Sequence, residues 1–164
     1  MNRSSSYVFY VYTTNSFNIN ILNELTQDQI NDTNFTVEFI GSYESYNTTY
    51  NGSLYIDLVV PDTYQIRYKW INETTATDYG MQRQYYYELT NRSYNPVSLY
   101  ALNNSVSDEI EITVQNADTL QREEGITVLL QRFYIESNSY ETVAMYQTDS
   151  QGKAYFDVEK FDEL

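Results

Sequence analysis

One pattern, written twice, constrains this chain more than any other. From Thr148 the sequence runs Thr-Asp-Ser-Gln-Gly-Lys-Ala-Tyr-Phe-Asp-Val. A polar turn holding Gly152 leads into an alternating run: Ala154, Phe156 and Val158 point one way, Lys153, Tyr155, Asp157 and Glu159 the other. A period of two fixes a strand with one buried face. Upstream, Asn51-Gly52-Ser53-Leu54-Tyr55-Ile56-Asp57-Leu58 has the same glycine, the same Tyr-x-Asp spacing and the same apolar positions. A chain that repeats a turn-plus-strand unit is expected to be a β-domain in two copies, with the second cut short.

The alternation recurs along the chain. Phe17, Ile19 and Ile21, then Phe35, Val37 and Phe39, then Tyr64, Ile66 and Tyr68 mark strands, as do Ile110, Ile112 and Val114. Stretches 81–89, 97–102, 126–134 and 140–148 read the same way, while 41–49 reads as a turn-rich link and 23–33 as a loop or one helical turn. The 19 Tyr and 16% aromatic content favour strands. Many short strands with turn signals between them predict an all-β fold, two tandem antiparallel Ig-like β-sandwiches. The copies are expected to register with Ile19 and Ile21 on Ile110 and Ile112, and Thr36-Val37 on Thr127-Val128. Gly52, Tyr55 and Asp57 then fall on Gly152, Tyr155 and Asp157, and Pro61-Asp62-Thr63 on Phe161-Asp162-Glu163. The expected organisation is an N-terminal strand segment over 1–14, a first sandwich over 15–105 and a second over 106–164.

The first copy continues into Tyr64–Trp70, and the second has no matching continuation within these residues. A sandwich lacking its final strand or strands exposes an edge and part of its core. Three completions are open: a longer repeat protein that continues the pattern, a strand supplied by another molecule, or the chain's own N-terminal strand. Tyr7, Val8, Phe9, Tyr10, Val11 and Tyr12 are the expected assembly strand, bulky on both faces and placed as a final strand preceding a new repeat. Head-to-tail exchange of that strand gives an open chain of subunits.

Gly125-Ile126-Thr127-Val128-Leu129-Leu130, followed by Thr148-Asp149-Ser150-Gln151-Gly152-Lys153-Ala154, resembles the carboxypeptidase-regulatory-like, transthyretin-type β-sandwich repeats. The resemblance covers 109–164 well and 17–70 more loosely, where Tyr50-Asn51-Gly52 replaces the Thr-Asp turn. It implies the sandwich fold and a structural or adhesive role of the kind such repeats play in archaeal, bacterial and viral surface proteins, and it brings no catalytic residues.

Chemistry is bounded by what is missing. The chain holds no Cys and no His, so disulfides, thiolate or imidazole metal ligands, and Ser-His-Asp or Cys-His catalysis are excluded. With 23 acidic against 9 basic residues and a net charge of -14, it is repelled by nucleic acid and anionic lipid. No stretch is long and apolar enough to insert in a membrane. Eight Asn-x-Ser/Thr acceptors, at Asn2, Asn31, Asn34, Asn47, Asn51, Asn72, Asn91 and Asn103, exceed the ~3 expected by chance. They predict a glycan-coated exterior, with a compositional by-product of an Asn- and Thr-rich chain as the alternative. All precede residue 106, which leaves the second copy bare. Asp118, Glu123 and Asp149 are weak calcium candidates without calcium-loop spacing; Asp149 reads better as a turn former. No cofactor is otherwise expected. Tyr85, Tyr86 and Tyr87, with Trp70 and Tyr68, are candidates for a sugar-stacking platform or subunit interface.

The expected function is a non-enzymatic structural subunit of an extracellular filament or a virion surface. Its expected partners are copies of itself, other virion or cell-surface proteins, and glycans. A carbohydrate- or receptor-binding adhesin using Tyr-rich loops is the alternative.

Overall fold

The computed structural model describes residues 16–42, 44–49, 51–57, 62–71, 83–89 and 96–160. The proposed assembly strand 7–12, the acceptors Asn2, Asn72 and Asn91, and residues 161–164 lie outside them.

Seven strands build the first sandwich: β1 (Ser16–Asn23), β2 (Asn34–Ile40), β3 (Glu44–Thr48), β4 (Ser53–Asp57), β5 (Asp62–Ile71), β6 (Arg83–Leu89) and β7 (Val97–Ala101). They form one sheet in the order β4-β1-β7 and a second in the order β3-β2-β5-β6. Alternation decides which faces meet. Ile19 and Ile21 of β1 face Phe35, Val37 and Phe39 of β2 across a core that Tyr64, Ile66 and Tyr68 of β5 complete. Each burial stabilises the fold by about 1.5–3 kcal/mol before the entropy of ordering is set against it.

Two details differ from the sequence expectation. Residues 44–48 form β3, an edge strand on β2, where a turn-rich link was expected. Its run ESYNT lacks an apolar face, and β2 supplies the pairing that its own pattern does not advertise. The sandwich is also not wholly antiparallel. β1 and β7 pair in parallel, Ile19 opposite Val97 and Asn23 opposite Ala101, because the chain returns to β1 from the other sheet.

A three-residue 3₁₀ turn, Asn104–Val106, is capped by the Asn103 side chain, which accepts from the Ser105 N–H. It leads into the second unit: β8 (Ser107–Thr113), β9 (Thr127–Tyr134), β10 (Ser139–Gln147) and β11 (Lys153–Glu159). β11 pairs with β8 as β4 pairs with β1, and β10 pairs with β9 as β3 pairs with β2. Ala144, Ala154 and Phe156 are its buried centre, with the Tyr146 and Phe156 rings edge-on at 4.8 Å.

The duplication extends to single hydrogen bonds. Ile21 N–H donates to Gly52 O at 2.8 Å and Val114 N–H to Gly152 O at 2.8 Å. Phe35 N–H donates to Thr49 Oγ1 at 2.8 Å and Ile126 N–H to Thr148 Oγ1 at 2.9 Å. The Asn23 side chain caps a turn by accepting from Leu25 and Thr26, and Asn116 does so from Asp118 and Thr119. Both turns then need a left-handed residue, Gln27 and Leu120. Gly52 (φ 69°) and Gly152 (φ 70°) sit where a Cβ would strike the loop behind them, Ile30 O in one copy and Arg122 Cβ and Val114 O in the other.

These bonds correct the expected register. Ile21 corresponds to Val114, hence Ile19 to Ile112, two places from the expected match to Ile110 and Ile112. Thr36-Val37 does correspond to Thr127-Val128. The difference lies in one loop: Phe35 follows Ile30 by five positions, Ile126 follows Glu123 by three. A shift of two preserves side-chain parity, so the inward and outward faces are unaffected.

Candidate functional site

Among the described residues the second unit holds two two-stranded sheets, β11-β8 and β10-β9. Among the described residues β8 pairs on one side only and so does β9, whereas their counterparts β1 and β2 are paired on both. What the counterparts of β5, β6 and β7 would cover is open. Ile19 is 1% exposed and its equivalent Ile112 is 36% exposed; Phe35 is fully buried and its equivalent Ile126 is 42% exposed. Val128 and Leu130 are only half-buried where Val37 and Phe39 are sealed. The residues are inward by pattern and uncovered in fact.

This unit is joined to the first sandwich by a buried polar cluster. Arg83, at the start of β6, is buried; it donates to Val143 O of β10 at 3.1 Å and Asp157 O of β11 at 3.0 Å, and pairs with buried Glu24. Arg132 reaches Glu24 at 3.4 Å and Glu159 at 2.6 Å, while Tyr134 Oη donates to Glu24 O at 2.8 Å. Tyr134 also stacks on Tyr100, centroids 6.0 Å apart. Burial pushes the Tyr134 and Tyr100 phenols up, so Tyr134 stays a neutral donor to Glu24 O. Burial also raises the Asp157 carboxyl, an effect that the nearby Arg83 partly offsets. Asp157 was expected to face solvent with Lys153 and Tyr155; it is 7% exposed because the joint covers it. Strands β10 and β11 thus meet the first sandwich through Arg83, and β9 meets it through Arg132 and Tyr134.

The outer face of β8 and β11 is polar. Lys153 Nζ donates to Glu111 at 2.8 Å, a pair that lowers the Glu111 carboxyl and raises the Lys153 amine. This exposed pair contributes little to stability.

The other sequence candidates fall as follows. Asn31, Asn34 and Asn51 are exposed; Asn47 and Asn103 are half-buried, and the Asn103 carbonyl is engaged in its cap. Asp149 Oδ1 accepts from Gln151 N–H at 2.8 Å and Lys153 N–H at 3.0 Å, the expected turn former. Asp118 and Glu123 are not gathered with it, and among the described residues no group of three or more metal-ligating side chains occurs. The tyrosine platform is corrected: Tyr68 and Tyr85 are 2% and 4% exposed and belong to the first core, with Tyr68 Oη donating to Tyr100 O at 2.6 Å. Strand parity turned them inward. The side chains of Trp70, Tyr86 and Tyr87 lie outside the description.

Three features went unread in the sequence. The Glu24–Arg83–Arg132 joint joins residues far apart in the chain; Arg83, one of only 9 basic residues and set beside a tyrosine run, was its one visible sign. The capped turns share Asn-x-x-Thr at 23–26 and 116–119, a motif open to inspection. Leu129, Phe133, Ile135 and Tyr140 are exposed on or next to the β9–β10 hairpin, with the Phe133 and Tyr140 rings 5.0 Å apart.

No protein-family model matches this chain, and no curated protein matches it. Two solved structures are similar over 88% of its length, each at a TM-score of 0.33: the Bacillus anthracis TIE protein at 20% identity and a Streptococcal ancillary pilin at 10%. The chain spans 26% of the first and 50% of the second. The likeness to the transthyretin-type repeats is one of β-sandwich architecture. Among the described residues no helix is long and apolar enough to cross a membrane.

Proposed function

We propose that this chain is a non-enzymatic structural subunit of an extracellular assembly, a filament or a virion surface. It joins its neighbours by β-strand exchange into the second unit and carries N-glycans on the first sandwich. One observation carries the reading: Ile112 and Ile126 are a third or more exposed at positions whose equivalents, Ile19 and Phe35, are sealed in the same chain. Inward-facing aliphatics left exposed beside two strand edges that are unpaired among the described residues support covering by another strand. The lack of His and Cys and the net charge of -14 agree with a structural role in exposed surroundings. The acceptors Asn31, Asn34 and Asn51, exposed on the first sandwich, leave the open edge clear of sugar.

Sedimentation velocity across a concentration series, with negative-stain imaging, tests the reading. Concentration-dependent oligomers or filaments are expected, with binding of an apolar dye falling as they form. A chain that stays monomeric at every concentration while still binding the dye refutes it.

A further inference from the structure

We infer that the outer face of the β9–β10 hairpin is an interface for a second copy of this chain, packed on it face to face about a two-fold axis. This contact goes beyond strand exchange, since it uses neither an unpaired edge nor a donated strand.

Strand pairing sets the face. Along β9, Val128, Leu130 and Tyr134 turn inward to buried clusters, so Leu129, Gln131 and Phe133 turn outward. Directly opposed residues of a strand pair share a face. Here Leu129 stands opposite Met145, Gln131 opposite Thr142 and Phe133 opposite Tyr140. These three rungs carry no charge; the first charge along the chain beyond them is Glu136, in the turn. Leu129, Phe133 and Tyr140 are 49%, 44% and 67% exposed, and Ile135, just past the end of β9, is 85% exposed. The Phe133 and Tyr140 rings lie 5.0 Å apart and restrict each other's rotamers, which lowers the entropy cost of covering them.

The duplication supplies a reference within the same chain. Leu129 is the equivalent of Glu38, two places beyond the matched Thr127 and Thr36. The outer face of the first sandwich is charged there: Thr36 stands opposite Lys69, and Glu38 opposite Arg67, with which it pairs at 3.7 Å. The outer face of β8 and β11 is polar in the same way, through Glu111 and Lys153. A sheet face turned to water is ordinarily polar, and the β9–β10 face departs from that. One end of it is already an interface, because Met145 packs against the core of the first sandwich. The apolar surface continues from there for ~14 Å, the four residue steps from Leu129 to Phe133.

Charge selects the occupant. Each copy carries a net charge of -14, so two copies meet most readily where neither presents a charge. A charged partner gains nothing from this face, whereas an identical face gains the burial of both. An axis along the Gln131–Thr142 rung lays Leu129 of each copy over Phe133 of the other, the self-complementary arrangement that a two-fold contact requires. The four exposed apolar side chains offer on the order of 400 Å² per copy, or about 800 Å² for two, just under the ~1,000 Å² of a stable interface. The contact is therefore a weak dimer.

The chain has no cysteine, so Q131C introduces a single thiol close to the axis. Treated with a bis-maleimide spanning ~10 Å, the separation of face-packed sheets, it is expected to give a covalent dimer. In sedimentation equilibrium the full chain is expected to dimerise, with F133K and Y140K each weakening the dimer roughly tenfold or more. Y155K, on the polar face of β11, is expected to change it by about twofold at most. Lysine lowers the net negative charge, so lost association cannot come from added repulsion between chains; circular dichroism checks that each variant folds. A dimer unchanged by F133K and Y140K, equal weakening by Y155K, or no cross-link from Q131C overturns the face. A chain monomeric at every concentration overturns the second copy and leaves the face to a different partner. If a dimer sensitive to F133K forms and nothing larger does, this interface stands and strand exchange falls. If F133K assembles as the parent does, this interface falls and strand exchange stands.

Discussion

Ile19 and Ile112 occupy equivalent positions, one sealed and one a third exposed, so the same substitution at each weighs what burial contributes. Ile→Ala removes about three methylene equivalents, or ~2.4 kcal/mol of transfer free energy. At Ile19, 1% exposed, all of it is lost and a cavity is left, so I19A is expected to cost about 3–4 kcal/mol. At Ile112, 36% exposed, roughly two-thirds of the transfer term applies and the open site leaves no enclosed void. I112A is expected to cost about 1.5 kcal/mol in the dilute monomer. Urea unfolding followed by far-ultraviolet circular dichroism measures both. At concentrations where the chain assembles the order should reverse in consequence: I112A weakens assembly and I19A leaves it intact wherever the fold survives. Equal costs in the monomer, or a larger one at Ile112, would refute the account of the second unit as uncovered.

Other expectations bear on the joint and the turns. R83A strips buried Glu24 of its nearer partner and leaves two carbonyls without their donor; a loss of roughly 3–5 kcal/mol is expected, partly recovered by adding E24Q. A urea midpoint unchanged by R83A would sink this role for the joint. G52A and G152A are each expected to cost well over ~1 kcal/mol, because both glycines have positive φ and back onto a loop; a melting temperature unchanged in either would count against the shared turn. Asp157 gives a pH dependence. Burial raises its folded-state pKa, so as pH rises the unfolded chain ionises first and the native state loses stability until the folded group ionises too. D157N should match the parent in acid, where both carboxyls are protonated, and be more stable at neutral pH; thermal melts at the two pH values decide it.

The alternation of Ile19, Val37, Tyr64 and Phe156 disclosed the strands and their buried faces, since a period of two is a local property. The turn glycines disclosed the duplication. Register was read two places off because loop length is set by how the loop packs and leaves no periodic trace; parity survived because the difference was even. β3 was missed for a related reason: an edge strand held by its neighbour needs no pattern of its own. That β8 and β9 each pair on one side only among the described residues took the pairing itself to show. The joint could not be read at all, since nothing local brings Glu24, Arg83 and Arg132 together.

The parallel pairing of β1 with β7 has a mechanical meaning. The chain enters the first sandwich at Ser16 and leaves it at Ala101, opposite ends of two strands lying side by side in the same direction. Tension along the chain pulls those ends apart along the strand axis, so it loads the hydrogen bonds between β1 and β7 together, in shear, instead of peeling them one by one. Single-molecule stretching should find the first sandwich yielding in one abrupt event.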